Sequence, residues 1–238
     1  MKPPRVPLFD FPDVLIQADE SDVRTHTHYD AAKAGNFVAA ETLITAFDHG
    51  LIERLGSLLD GRAVQLVAVH ALESAGVNEI PAALARRISH WLNLPVNDSI
   101  VQANSVGHTK ASGFHRLAHQ ASFFGPVAQA QPYFLVDDFV GQGGTLANLI
   151  GYISANGGEV IGATVLTGKP HSAKLAPDNV SIQSLRSKHG NDFEEWWREQ
   201  FGFGFDCLTR SEARYLENSP DADTIRNRLV AAGFEGGT

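Results

Sequence analysis

Three short runs of β-branched and apolar residues, set apart by stretches of helical spacing, constrain this chain more than any other feature. Ala63-Val64-Gln65-Leu66-Val67-Ala68-Val69, Tyr133 to Val136, and Val160 to Thr167 are apolar at successive positions, which suits strands covered on both faces. After the first run, a helix is predicted from about Ile80 to Trp91, with Pro81 in the first turn, where its missing N–H costs little. After the second, a helix runs from Thr145 to about Asn156 and stops at Gly157-Gly158. Strand, loop, helix and strand in repeated order predict an α/β fold built on a parallel sheet flanked by helices.

The remaining segments divide the chain into three parts. Residues 1–60 read as an arm and helices: the first 28 residues are rich in Pro and Asp and are expected to be irregular. From Tyr29 the spacing turns helical, with Phe37, Ala40, Leu43, Ile44, Phe47, Leu51, Leu55 and Leu58 at three- and four-residue steps, and Asn36 placed to cap the second helix. Residues 61–185 hold the α/β core. Residues 186–238 read as a helical cap. Within the core, residues 102–125 have little apolar periodicity and are rich in Gly, Ser, His and Lys, which predicts a long loop that is either a functional lid or disordered.

Composition narrows the function classes. Lys plus Arg is 19 and Asp plus Glu is 27, so the net charge is −8, which argues against a broad nucleic-acid-binding face. The single cysteine, Cys207, excludes an intrachain disulfide and a Cys-rich zinc site. No apolar run approaches the roughly 18 residues needed to span a bilayer. Met1 to Arg5 carries two prolines with no apolar stretch behind it, so no signal peptide and no membrane partner are expected. The expectation is a cytoplasmic protein acting on small metabolites.

Chemistry concentrates in Phe134-Leu135-Val136-Asp137-Asp138-Phe139-Val140-Gly141-Gln142-Gly143-Gly144-Thr145. Two carboxylates fall at the end of a buried strand, where open parallel sheets bind their ligands. A glycine turn follows and then a helix start, whose N–H groups and dipole make a cradle for a phosphate monoester, with the Thr145 hydroxyl as one more donor. Carboxylates cannot bind that phosphate; they suit the hydroxyls of a sugar, or a Mg²⁺ shared with sugar and pyrophosphate. Acid pair plus cradle describes a ribose 5-phosphate pocket. The turn is neither a Walker A loop nor a Gly-x-Gly-x-x-Gly dinucleotide turn.

This segment resembles the ribose-phosphate signature of type I phosphoribosyltransferases, in which two acidic residues precede a Thr-Thr-Gly-x-Thr-like loop. The likeness extends over roughly residues 61–170 and is nearest in tone to the competence-associated, amidophosphoribosyltransferase-like branch. It implies a Rossmann-like core with a small hood, which residues 1–60 could supply, and phosphoribosyl pyrophosphate with Mg²⁺ as donor. Asp137 and Asp138 would hold the ribose hydroxyls, directly or through Mg²⁺. Val140, Gly141, Gln142, Gly143, Gly144 and Thr145 would bind the 5′-phosphate. Ala71, Leu72, Glu73, Ser74, Ala75 and Gly76 fall at the family's pyrophosphate loop. Lys110 and Arg116 fall in its closing catalytic loop, and Lys169 falls near a base-contacting lysine. A nucleobase or amine acceptor, and a homodimer, are further expectations of the resemblance. Purine-salvage members carry an aspartate where this chain has Gly141, so a purine-salvage mechanism is not implied.

Each of these features also has a structural reading. Asp137-Asp138 could be an acidic strand end, Glu73 to Asn78 an ordinary strand-to-helix loop, and Lys110, Arg116 and Lys169 solvated surface charge. His26 and His28 with Asp30 read as incidental rather than as a metal site, and Trp196-Trp197 with Phe201 to Phe205 as packing or a subunit contact. Two other functions fit the same residues: a non-catalytic regulator that senses phosphoribosyl pyrophosphate or a nucleotide, and an interaction protein that reuses the fold.

Overall fold

The computed structural model of the chain describes residues 2–69, 72, 73, 76–104, 106 and 112–235. In chain order its strands are β1 (Leu15–Ala18), β2 (Gln65–Ala68), β3 (Leu72–Glu73), β4 (Gly76–Val77), β5 (Val101–Gln102), β6 (Phe123–Phe124), β7 (Pro132–Val140) and β8 (Glu159–Gly168). The N-terminal helices are α1 (Glu20–Thr25), α2 (Tyr29–Lys33), α3 (Phe37–Phe47) and α4 (Leu51–Leu59), followed by α5 (Ile80–Leu92), α6 (Gly113–Ala118) and α7 (Gly144–Ala155). The C-terminal helices are α8 (Asn179–His189), α9 (Asn191–Phe201), α10 (Arg210–Glu217) and α11 (Ala222–Glu235).

The fold is α/β. Four strands form one parallel sheet in the order β1-β8-β7-β2, with β3–β4 and β5–β6 as small antiparallel pairs. Alternation along the strands divides the core in two, as it must in a sheet covered on both faces. Leu66, Ala68, Phe134 and Val136 pack with α3, α4 and α5 on one face. Val67, Val69, Tyr133, Leu135 and Val165 pack with Leu146, Leu149, Ile150 and Ile153 of α7 on the other. Asn36 caps α3 by accepting the Ala39 N–H at 2.9 Å. Among the described residues, no helix is long and apolar enough to cross a membrane.

Three local readings change. The N-terminal segment is not irregular throughout: Leu15–Ala18 adds β1 to the sheet edge, with Leu15 opposite Thr164. The Thr164 and Thr167 hydroxyls donate to the Leu15 and Ala18 carbonyls at 2.8 and 2.7 Å, so a partner far along the chain holds this strand. β7 also runs on through Val140, past the expected end at Val136, because β8 pairs with it as far as Val140↔Gly168. The described part of 102–125 is not one loop: β5 pairs with β6, and α6 forms where Ser112 accepts the His115 N–H at 3.1 Å.

The C-terminal helices build a third core of their own. Phe193, Trp197, Phe205, Leu216, Ile225 and Leu229 bury one another, and α6 contributes Phe114 and Leu117. Trp197 is fully buried, with Phe201 and Phe203 among its ring neighbours, so the aromatic run is internal packing. The arm preceding β1 lies along α7 at Gly151, where any side chain would collide with Pro4 and Arg5.

Candidate functional site

β7 carries Asp137 and Asp138 to the carboxyl end of the sheet, and both are buried, at 6% and 9% exposure. The Asp138 N–H donates to Asp137 Oδ1 at 2.8 Å. Burial, and then the negative charge of Asp138, pushes the Asp137 carboxyl well above the ordinary carboxylate range; that N–H and the Lys33 ammonium pull the other way. Lys33, the last residue of α2, sets its Nζ 2.9 Å from Asp138 Oδ2.

The glycine turn that follows is built for close approach. Gly143 has φ +79°, and a Cβ there would stand 2.5 Å from Leu175 Cδ2. The first α7 hydrogen bond of the cap runs from the Ala147 N–H to the Gly143 carbonyl at 3.0 Å. The N–H groups of Gly144, Thr145 and Leu146 therefore belong to the helix's first turn, where no intrahelical acceptor exists. Gly144 and Thr145 are half-buried, so the cradle is not sealed. Its back is closed by the C-terminal helices: the Thr209 hydroxyl donates to the Gln142 carbonyl at 2.5 Å, and a Cβ at Gly144 would come within 2.7 Å of Glu212 Oε1. The Gln142 side-chain Oε1 is buried without a hydrogen-bond partner among the described residues.

Cations ring this end of β7. Arg116, on α6, brings Nη1 within 2.9 Å of where a Cβ of Gly141 would lie. Burial, then the charge of Arg24, lowers the Arg116 guanidinium below the ordinary arginine value. Arg24 lies over the Phe139 ring at 5.1 Å and pairs with Glu20 at 2.8 Å. Sequence reasoning picked out Arg116 but missed Arg24 and Lys33, which stand on α1 and α2, outside the motif; no local pattern marks them.

The other expected site residues are placed as follows. Val140 ends β7, and its carbonyl accepts the Lys169 N–H at 3.1 Å, which puts Lys169, exposed, at the same edge of the sheet. Leu72–Glu73 and Gly76–Val77 pair antiparallel as β3 and β4, and the Glu79 N–H just beyond them donates to the Ala32 carbonyl of α2 at 3.2 Å. That contact brings the expected pyrophosphate segment beside the helix that carries Lys33. Ala71, Ser74, Ala75 and Lys110 lie outside the described residues. Among the described residues, no three His, Cys, Asp or Glu side chains gather where they could hold a metal ion.

No protein-family model matches the chain. It is 38% identical to Protein TraN of Escherichia coli over 232 residues, 97% of this chain and 52% of that protein. An uncharacterized protein of Haemophilus influenzae is 38% identical over 148 residues, 60% of this chain and 32% of the relative. The chain thus spans about half the length, or less, of these curated relatives. Among solved structures, adenine phosphoribosyltransferase from Thermoanaerobacter pseudethanolicus superposes at 16% identity and a TM-score of 0.37, over 55% of this chain and 72% of that one. Purine phosphoribosyltransferase from Pyrococcus horikoshii does so at 18% and 0.37, over 54% and 78%.

Proposed function

We propose that the chain is a phosphoribosyltransferase, moving ribose 5-phosphate from phosphoribosyl pyrophosphate to a nitrogen acceptor, either a nucleobase or an amine. One observation carries this reading: a buried acid pair at the carboxyl end of β7 leads through a glycine turn into α7, with Arg24, Lys33 and Arg116 around it. Carboxylates beside an anion cradle suit a ligand with hydroxyls at one end and a phosphate at the other. In the reaction the bond from ribose C1′ to the pyrophosphate oxygen breaks and a bond from C1′ to the acceptor nitrogen forms. The electron pair leaves with pyrophosphate, and the acceptor's N–H proton passes to solvent.

The chain's own residues bind and orient rather than form a covalent intermediate. Asp138 accepts from a ribose hydroxyl, and Asp137, whose surroundings favour its protonated form, can also donate to one. The first-turn N–H groups of Gly144, Thr145 and Leu146 hold the 5′-phosphate, assisted by the Thr145 hydroxyl. Arg116 offsets the charge that gathers on departing pyrophosphate, and Lys110 is a second candidate for that task. Calorimetry with phosphoribosyl pyrophosphate and ribose 5-phosphate, with and without Mg²⁺, tests the pocket. Binding that disappears in Asp137→Asn/Asp138→Asn is expected; unchanged affinity sinks the assignment.

A second reading, a sensor of the same ligand, is favoured by the back of the cradle. Thr209 and Glu212 of the C-terminal helices touch the turn itself, so occupancy there would be felt by a separate core. Pyrophosphate release across a panel of bases and amines separates the two. Release assigns the enzyme, whereas saturable binding without release assigns the sensor.

A further inference from the structure

The acid pair already has a cation of its own. We infer that Lys33 takes, against Asp138, the place a divalent metal would otherwise occupy, so that the pair meets the ribose hydroxyls without a metal. The inference rests on the ribose-phosphate reading of that pair. Lys33 Nζ and Asp138 Oδ2 stand 2.9 Å apart with their side chains only 18% and 12% exposed. A packed element delivers this ammonium. Ala32, the residue before Lys33, is fully buried in the core and its carbonyl holds the Glu79 N–H, while the Ala31 carbonyl accepts the Asn36 N–H at 2.9 Å.

The oxygens left over suit a metal poorly. Mg²⁺ demands near-octahedral oxygen ligation at about 2.0–2.1 Å. Here Asp138 Oδ2 is committed to Lys33, and Asp137 Oδ1 accepts the Asp138 N–H at 2.8 Å. Arg24 and Arg116 add positive charge on the same edge of the sheet. Lysine, a compact point charge, fills a cation's place without the planar fork an arginine would impose. Lys33 is thus a positioning residue: it fixes the Asp138 carboxylate for the ligand and excludes a competing metal.

The test is Mn²⁺ binding to the full chain with no other ligand, read by water-proton relaxation. Wild type and Asp138→Asn are expected to bind Mn²⁺ equally weakly. Lys33→Gln is expected to bind it at least about tenfold more tightly, and Lys33→Gln/Asp138→Asn to lose that gain. A wild-type chain whose Mn²⁺ binding depends on Asp138 overturns the inference, and this arm needs no folded variant at Lys33. A folded Lys33→Gln that gains nothing overturns it as well. Calorimetry of ribose 5-phosphate on wild type separates this failure from failure of the functional reading. Binding without Mg²⁺ supports Lys33 as the resident cation, and binding that strictly requires Mg²⁺ overturns it. If ribose 5-phosphate does not bind at all, the ribose-phosphate reading falls and the Mn²⁺ comparison alone decides Lys33.

Discussion

Arg5 grips Glu212 at both carboxylate oxygens, at 2.6 and 2.9 Å, although 207 positions separate them in the chain. The side chains are 1% and 3% exposed. Arg5 also donates from Nε to Asn148 Oδ1 of α7 at 2.6 Å and lies over the Phe203 ring at 4.6 Å. Glu212 in turn accepts the Thr209 N–H at 2.9 Å, completing the capping box that starts α10. The first residues and the last helices are therefore clasped together across the first turns of α7, directly behind the candidate phosphate cradle.

Breaking that clasp on one side strands a buried charge. Arg5→Met is expected to cost about 3–5 kcal/mol, because the Glu212 carboxylate is left without its counter-charge. Arg5→Met/Glu212→Leu removes both charges and should recover a large part of that loss. Urea unfolding of the two variants checks it; equal destabilisation by both would show that packing, not charge, holds the arm.

On the proposed function, Asp137 trades stability for ligand contact. Its carboxyl is buried beside Asp138, and folding disfavours its charged form. Asp137→Asn keeps an acceptor for the Asp138 N–H and removes the ionisable group that burial penalises. At neutral pH it is expected to melt higher than wild type, by about 2–4 °C for each kcal/mol gained, while losing affinity for ribose 5-phosphate. Differential scanning fluorimetry beside calorimetry reads both quantities.

Acid sensitivity should arise at His189. Its ring is buried, Nε2 donates to the Leu216 carbonyl at 3.1 Å, and Nδ1 has no partner among the described residues. Burial chiefly, with the nearby Lys188 charge, pulls its pKa below the ordinary value of 6.5; the Leu216 bond, Asp221 and Glu217 oppose this. The unfolded chain thus takes the proton more readily. The stability His189 contributes is whole above about pH 6.5 and is lost as pH falls through its lower folded value. His189→Gln is expected to flatten the melting temperature between pH 7 and pH 5, relative to wild type.

At Gly143 the turn leaves no room for a side chain. Gly143→Ala forces a Cβ into φ +79° and against Leu175 Cδ2 at 2.5 Å. The backbone conformation alone costs about 1–2 kcal/mol. The clash displaces Leu175, so both melting temperature and ribose 5-phosphate affinity should drop. A variant with wild-type affinity would show that the cradle does not depend on this turn.

What the sequence made legible was what local forces decide. β2, β7 and β8 stand out because a strand covered on both faces must be apolar at successive residues, and α5 and α7 because Pro81 and Gly157 punctuate them. The Asp137-Asp138 and Gly141–Thr145 segment was legible for the same reason: acid pair, turn and helix start are contiguous. β1 was not, because Leu15–Ala18 is short and half-buried and gains its hydrogen bonds from a strand far down the chain. α6 was hidden by its length, six residues whose apolar face only the C-terminal core rewards. Lys33 and Arg24 were invisible as site residues, since tertiary folding alone carries α1 and α2 to the end of β7.

The pairing of β1 with β8 also sets a clock. Leu15 and Thr164 are 149 residues apart, so β1 leaves the ribosome long before its partner exists. At translation speeds of about 5–20 residues per second, it waits roughly 7–30 seconds for β8. Throughout that interval the nascent chain carries an unmated strand, while α3, α4 and α5 have only the β2–β7 pair to cover once β7 has emerged. The sheet can be completed only when the eighth strand slots between the seventh and the first, so β8 acts as the keystone of biosynthetic folding.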